Sequence, residues 1–240
     1  MTHASVRPLA VCAAIGLATV AAFGVDPPDL EINTLTGLVE TVDATWSGSN
    51  FNVRYSVING AGSLTSTVIL TANSADDLDP RIAINPGGNA YVVWWRDAAT
   101  DKIVFRKRTL ATGAWGAEQA VGLSNESSSR PRIAIASGSP WVAYQIQGPR
   151  TRNIGVQIID DSPEPFRTIL GTTSFGGDLD VQINSVAGHL WVTWVDSAQR
   201  VGYAEYAFDK RVWLPTGYES FSSDSLAEAR TRIEISVLSD

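Results

Sequence analysis

The feature that most constrains this chain is a unit of about fifty residues that returns four times. The segment PRIAI begins at Pro80 and again at Pro131, so Ile82 aligns with Ile133, and the same slot is held by Ile183 and Ile233. Counting back fifty residues from Ile82 lands on Ile32. A period of this size means a repeat architecture, in which one supersecondary unit covers the apolar face of the next.

A second segment repeats as firmly. Tyr91-Val92-Val93-Trp94, Trp141-Val142-Ala143-Tyr144 and Trp191-Val192-Thr193-Trp194 share one register, with Asp43-Ala44-Thr45-Trp46 as a looser first copy. A third follows at Val53-Arg54-Tyr55, Ile103-Val104-Phe105, Ile154-Gly155-Val156 and Val201-Gly202-Tyr203, and a large apolar residue marks a fourth at Leu64, Trp115, Phe166 and Trp213. Each unit therefore offers four short strands. Turn-forming runs such as Asn85-Pro86-Gly87-Gly88-Asn89 and Ala136-Ser137-Gly138-Ser139-Pro140 separate them, and no stretch carries a capped 3.6-residue apolar period. Strands such as YVVWW are apolar on both faces and need a sheet covered on both sides. The expected fold is all-β: a small β-propeller of four four-stranded blades over about 29–78, 79–129, 130–179 and 180–229, with 230–238 as a closing strand in the first blade. Tandem β-sandwich domains are the alternative.

The first 24 residues read as a secretory signal, with Arg7 in a short basic start, an apolar run from Leu9 to Val20 and small residues before an acidic, Pro-rich segment. The chain is therefore expected to be secreted, periplasmic or at the cell surface, without a membrane span after signal removal. The single cysteine, Cys12, lies inside this segment, so the mature chain carries neither disulfides nor a thiolate nucleophile. It would hold 17 basic and 25 acidic residues, a net formal charge of −8, with no Lys/Arg run. That excludes the electrostatic footprint of a nucleic-acid binder.

The units PRIAINPGGNAYVVWWRDAATDKIVFRKRTLATGAWGAEQAV and RPRIAIASGSPWVAYQIQGPRTRNIGVQII resemble blades of secreted bacterial propellers of the sialidase-like and lectin-like kind, over about residues 29 to 240. The resemblance lies in the blade pattern. It implies glycan-related chemistry, whereas the S-x-D-x-G-x-T-W box of many sialidase blades is absent, its nearest match being Thr112-Gly113-Ala114-Trp115.

Seven of the eight tryptophans occupy repeated slots and read as packing elements; in this alignment Trp46, Trp94 and Trp194 match Tyr144. Trp95 is the exception, with Gln145, Val195 and Ser47 as its counterparts. Trp95, Arg96 and Asp97 at a strand end therefore form the candidate ligand site, an aromatic floor with polar rims of the kind sugar sites use. Recurrent acids before the first strands, namely Asp77, Asp79, Asp178, Asp180 and Glu228, are weak candidates for a Ca²⁺ ring; turn-forming acids are the simpler reading, and no cofactor is expected.

No catalytic constellation emerges. His189 is the only histidine left after signal removal, and no nucleophile elbow frames a serine. Glu205 beside Tyr206, with Arg130/Arg132 and Arg150/Arg152, supplies residue types used by sialidases without a recognised arrangement. The leading expectation is an exported module that binds a glycan or a protein surface, with a structural propeller and a glycan hydrolase as alternatives. An open ring would add self-association.

Overall fold

A computed structural model describes residues 28–148, 151–159, 167–174, 180–186, 188–195, 200–214 and 217–220. The signal segment, Phe166 and the 230–238 strand lie outside these residues.

The described residues contain no helix and form four antiparallel sheets, the architecture of a four-bladed β-propeller. The first sheet runs in order β1 (Asp29–Asn33), β2 (Leu38–Trp46), β3 (Phe51–Ile58) and β4 (Leu64–Ile69). The second is β5 (Asp76–Ile84), β6 (Ala90–Asp97), β7 (Lys102–Arg108) and β8 (Gln119–Val121). The third is β9 (Ser127–Ala136), β10 (Ser139–Gln147), β11 (Thr151–Ile158) and β12 (Arg167–Ser174). The fourth is β13 (Asp180–Val186), β14 (His189–Val195), β15 (Arg200–Ala207) and β16 (Val212–Trp213), with β17 (Gly217–Ser220) also paired to β15. Each sheet is a meander, because neighbouring strands in sequence are joined by hairpins short enough to pair them directly.

Consecutive sheets stack face to face. β5 packs on β1, β2 and β3, β9 packs on β5, β6 and β7, and β13 packs on β9 and β10. Three joints result, each closed by apolar side chains from two sheets. Val42, Val53, Tyr55 and Val57 meet Ile82, Val92 and Trp94; Val93, Ile103 and Phe105 meet Val142, Tyr144 and Ile146; Ala143, Ile154 and Val156 meet Ile183, Val192 and Trp194. Alternation along a strand sends successive side chains to opposite joints, which is why YVVWW is apolar throughout.

The registers correct two alignments. Ile82 pairs with Val92, Ile133 with Val142 and Ile183 with Val192, while in the first sheet it is Leu30 that pairs with Thr41 at the corresponding point. Leu30, not Ile32, therefore holds the repeated isoleucine slot. Trp94 pairs with Val104, Tyr144 with Gly155 and Trp194 with Gly202, whereas the equivalent pair in the first sheet is Asp43 and Arg54. Trp46 thus stands three positions past the aromatic slot, more than half exposed and packed on Phe51.

The aromatic slot explains the glycines beside it. A Cβ built on Gly155 would lie 2.5 Å from the Tyr144 ring, and one on Gly202 would lie 2.2 Å from the Trp194 ring. Each ring lies flat over the neighbouring strand, where only hydrogen fits. Gly202→Ala is expected to destabilise the protein by about 1–3 kcal/mol through this clash, whereas Gly60→Ala, with nothing within 4 Å, should change little. Urea unfolding of both variants checks this, and equal midpoints would contradict the packing.

Candidate functional site

The strand end proposed from sequence does not assemble as one surface. Trp95 and Arg96 are neighbours on β6 and so point to opposite sides. Trp95 packs, half-buried, against the joint between the second and third sheets. Arg96 turns toward the side of Trp94, where its Nε donates to Asp77 Oδ1 at 2.7 Å and its Nη atoms donate to Glu118 at 2.9 and 3.2 Å. Burial works against the Arg96 charge, but Glu118 and Asp77 outweigh it and hold the guanidinium charged beyond its usual range. Asp97 is exposed at the strand end opposite Asp76. A cation already held by two carboxylates is poorly placed to receive an anionic ligand.

The acids considered as metal ligands hold the sheets together. Asp77 is fully buried and accepts hydrogen bonds from Trp94 Nε1 (2.9 Å), Asn73 Nδ2 (2.7 Å) and both ends of the Arg96 fork. Asp79 sits at a bulge with a left-handed backbone, as does Arg130 at the same place in the next unit, each just before a proline. Its carboxylate takes Arg81 on its own strand and Arg132 of the third sheet at 2.9 Å, which ties two blades together. Asp29 does the same job one joint earlier, accepting the Ile82 backbone N–H at 2.9 Å. Of the other candidates, Asp178 and Glu228 lie outside the described residues, and Asp180 is described only as the start of β13. Among the described residues no group of three or more acidic, histidine or cysteine side chains is arranged to hold a metal ion.

The catalytic candidates are likewise separated. Glu205 and Tyr206 alternate across β15, so Glu205 pairs with His189 on the outward face of the fourth sheet while Tyr206 points into the third joint. Arg150 lies outside the described residues. Glu40, 1% exposed, accepts from Asn33 Nδ2 (2.9 Å), Tyr55 Oη (2.7 Å) and Arg108 at the first joint. Burial first, and then the hydrogen bond to Glu40, push the Tyr55 hydroxyl well above its usual range.

A different place has the form of a ligand site. The β9–β10 hairpin turns through Ser137 and Gly138, both with positive φ, in the two-residue turn that matches strand twist. The β15–β16 hairpin turns through Phe208–Arg211, with Arg211 at φ 55°. These two tips border a cleft of about 290 Å³ between the third and fourth sheets. Ala136, Trp141, Ile158 and Tyr206 line it with Phe208, and Ser137, Ser139 and Arg211 supply its polar groups.

Its rings support one another. Tyr206 and Phe208 meet edge to face at 5.2 Å, Trp141 and Phe208 at 5.8 Å, and Trp213 backs Tyr206 at 5.3 Å. Arg211 is exposed and has no ion-pair partner among the described residues. Sequence reasoning did not single out this cleft; Trp141 is buried in the third joint and Trp213 packs against it, as their repeated slots implied. The usable signal was the joint position itself: Glu40 meets Arg108 at the first joint, whereas Trp141 meets Tyr206 at the third.

Comparison with known proteins supports the architecture. No family model and no curated protein matches the chain. The fold is similar to the K499G mutant of NanB sialidase from Streptococcus pneumoniae (TM-score 0.58, 8% identity, covering 81% of this chain and 51% of that one). It is also similar to the Trypanosoma rangeli sialidase in complex with the inhibitor DANA (TM-score 0.52, 12% identity, 78% and 37%). An exo-beta-1,3-galactanase from Phanerochaete chrysosporium, solved with galactose, gives TM-score 0.54 at 10% identity, covering 80% and 49%. The chain spans about half or less of the length of these proteins, and at such identity the likeness shows the β-propeller fold alone.

Removing Asp77 leaves Arg96 and the Trp94 N–H without their buried partner, so Asp77→Ala is expected to cost about 3–5 kcal/mol. The check is chemical unfolding with and without millimolar Ca²⁺. A stability loss reversed by Ca²⁺ in the wild type after chelation would instead mark Asp77 as a metal ligand.

Proposed function

We propose that the protein is an exported binding module that recognises glycans, with the cleft between the third and fourth sheets as its binding site. The observation that carries this reading is the cleft's composition. Phe208, part-exposed over the buried rings of Trp141 and Tyr206, offers the apolar contact that the C–H faces of a sugar require. Ser137, Ser139 and Arg211 stand at the rim, where hydroxyls need partners. At about 290 Å³ the cleft lies at the small end of ligand pockets, which run from roughly 300 to 1,000 Å³, a size suited to one pyranose ring at a chain end.

Binding is favoured over hydrolysis by how the buried carboxylates are used. Glu40, Asp77 and Asp79 are each held by arginine, and among the described residues no carboxylate lines the cleft. Two carboxyl groups flanking a scissile bond are what most glycoside hydrolysis needs. The glycan-acting propellers of similar fold make a sugar ligand the first class to test.

The mature chain is expected to retain at least one glycan class on an array and to leave a broad panel of fluorogenic glycosides uncleaved. Phe208→Ala should weaken binding by about tenfold or more, a loss near 1.4 kcal/mol, and lower stability by about 1 kcal/mol through its lost ring contacts. Trp95→Ala should lower stability by ~2–3 kcal/mol and leave the affinity in place. Calorimetric titration with the retained glycan separates the two, and loss of affinity on changing Trp95 alone would move the site to the other end of the strands.

A further inference from the structure

Among the described residues the stack has two outermost faces, and they are built unlike the three joints between them. The repeated isoleucine slot is buried against the preceding sheet at Ile82 (3% exposed) and Ile183 (5%), whereas Leu30 in the first sheet is 51% exposed. Ile32, Leu64 and Ile69 are exposed beside it. At the centre of this face the aromatic of the other three sheets is replaced by Asp43, whose ion pair with Arg54 holds the guanidinium charged above its usual range. The first sheet therefore presents an apolar surround with a low ionic centre and no ring of its own.

The outward face of the fourth sheet is the complement. Trp191 and Tyr203 stand on it 6.4 Å apart with Thr193, in the positions where Trp141, Val156 and Ala143 fill the third joint. The His189–Glu205 pair lies at its edge. Among the described residues no strand of the first sheet packs extensively on the fourth.

We propose that these faces meet between two copies of the chain, the fourth sheet of each covering the first sheet of the other. The contact continues the sheet-on-sheet joint already made three times within the chain, and it sets a face carrying two rings against the one that lacks them. Used twice about a two-fold axis, it closes a ring and leaves no apolar face uncovered. The Asp43–Arg54 pair brings both signs, so the centre of the first face carries no net charge.

Light scattering of the mature chain at about 10 μM protein, a level at which stable interfaces of standard size associate, is expected to give the mass of a dimer. Leu30→Arg and Ile69→Arg put an unpaired charge in the contact and should each weaken dimerisation on the order of 100-fold. Both residues are exposed in the single chain, so circular dichroism of the monomeric variants should match the wild type, and their unfolding midpoint should match that of the wild type diluted until it is monomeric. A monomer at that concentration overturns the proposal, since the ring is then closed within one chain. A dimer indifferent to both substitutions overturns it too, as does growth into longer assemblies, because the contact would not close.

Discussion

Everything in this molecule depends on stacking sheets that are apolar on both faces. A four-stranded blade cannot bury either face by itself, so its stability comes from neighbours, and the chain meets this by making the same joint repeatedly. Val92 and Trp94 close one joint while Val93 closes the next, from adjacent positions on a single strand. Because a buried sheet edge would leave backbone groups unpaired, the joints are made by side chains and by a few polar latches. Asp29 to the Ile82 N–H and Asp79 to Arg132 are the described examples.

The repeat also allows each joint to be specialised without loss of the fold. At one equivalent level the first joint holds Glu40 hydrogen bonded to Asn33, Tyr55 and Arg108, while the third holds Trp141 against Tyr206 beside a cleft. The polar joint resists separation because parting it strands a buried carboxylate. The aromatic joint buries Trp141 and Tyr206 and brings part-exposed Phe208 and two hairpin tips to its mouth, where edge-to-face contacts hold the rings in place. A ligand that bridges the tips would touch two blades at once, and binding would then add to the cohesion of the third joint.

Much of the fold was legible in the sequence because strand spacing and apolar residues repeat together. The errors arose where hairpin length varies. From the isoleucine slot to its partner is eleven residues in the first unit, Leu30 to Thr41, and nine in the third, Ile133 to Val142. A fixed count of fifty therefore slid onto Ile32, while Trp46 was matched to the aromatic slot by residue type although the register puts Asp43 there. The site was less legible for a different reason. Trp95, Arg96 and Asp97 are consecutive in sequence, yet a strand sends neighbours to opposite faces, so Arg96 is parted from Trp95 and Asp97. The cleft draws on Ser137, Trp141, Phe208 and Arg211, about seventy positions apart, and only the stacking of two sheets brings them together.

Hydrogen–deuterium exchange of the mature chain, with and without a retained glycan, tests this account most directly. The account predicts added protection at 136–141 and 204–213, on both sides of the third joint, with little change at 93–97. Protection confined to 93–97, or to one side of that joint, would contradict it.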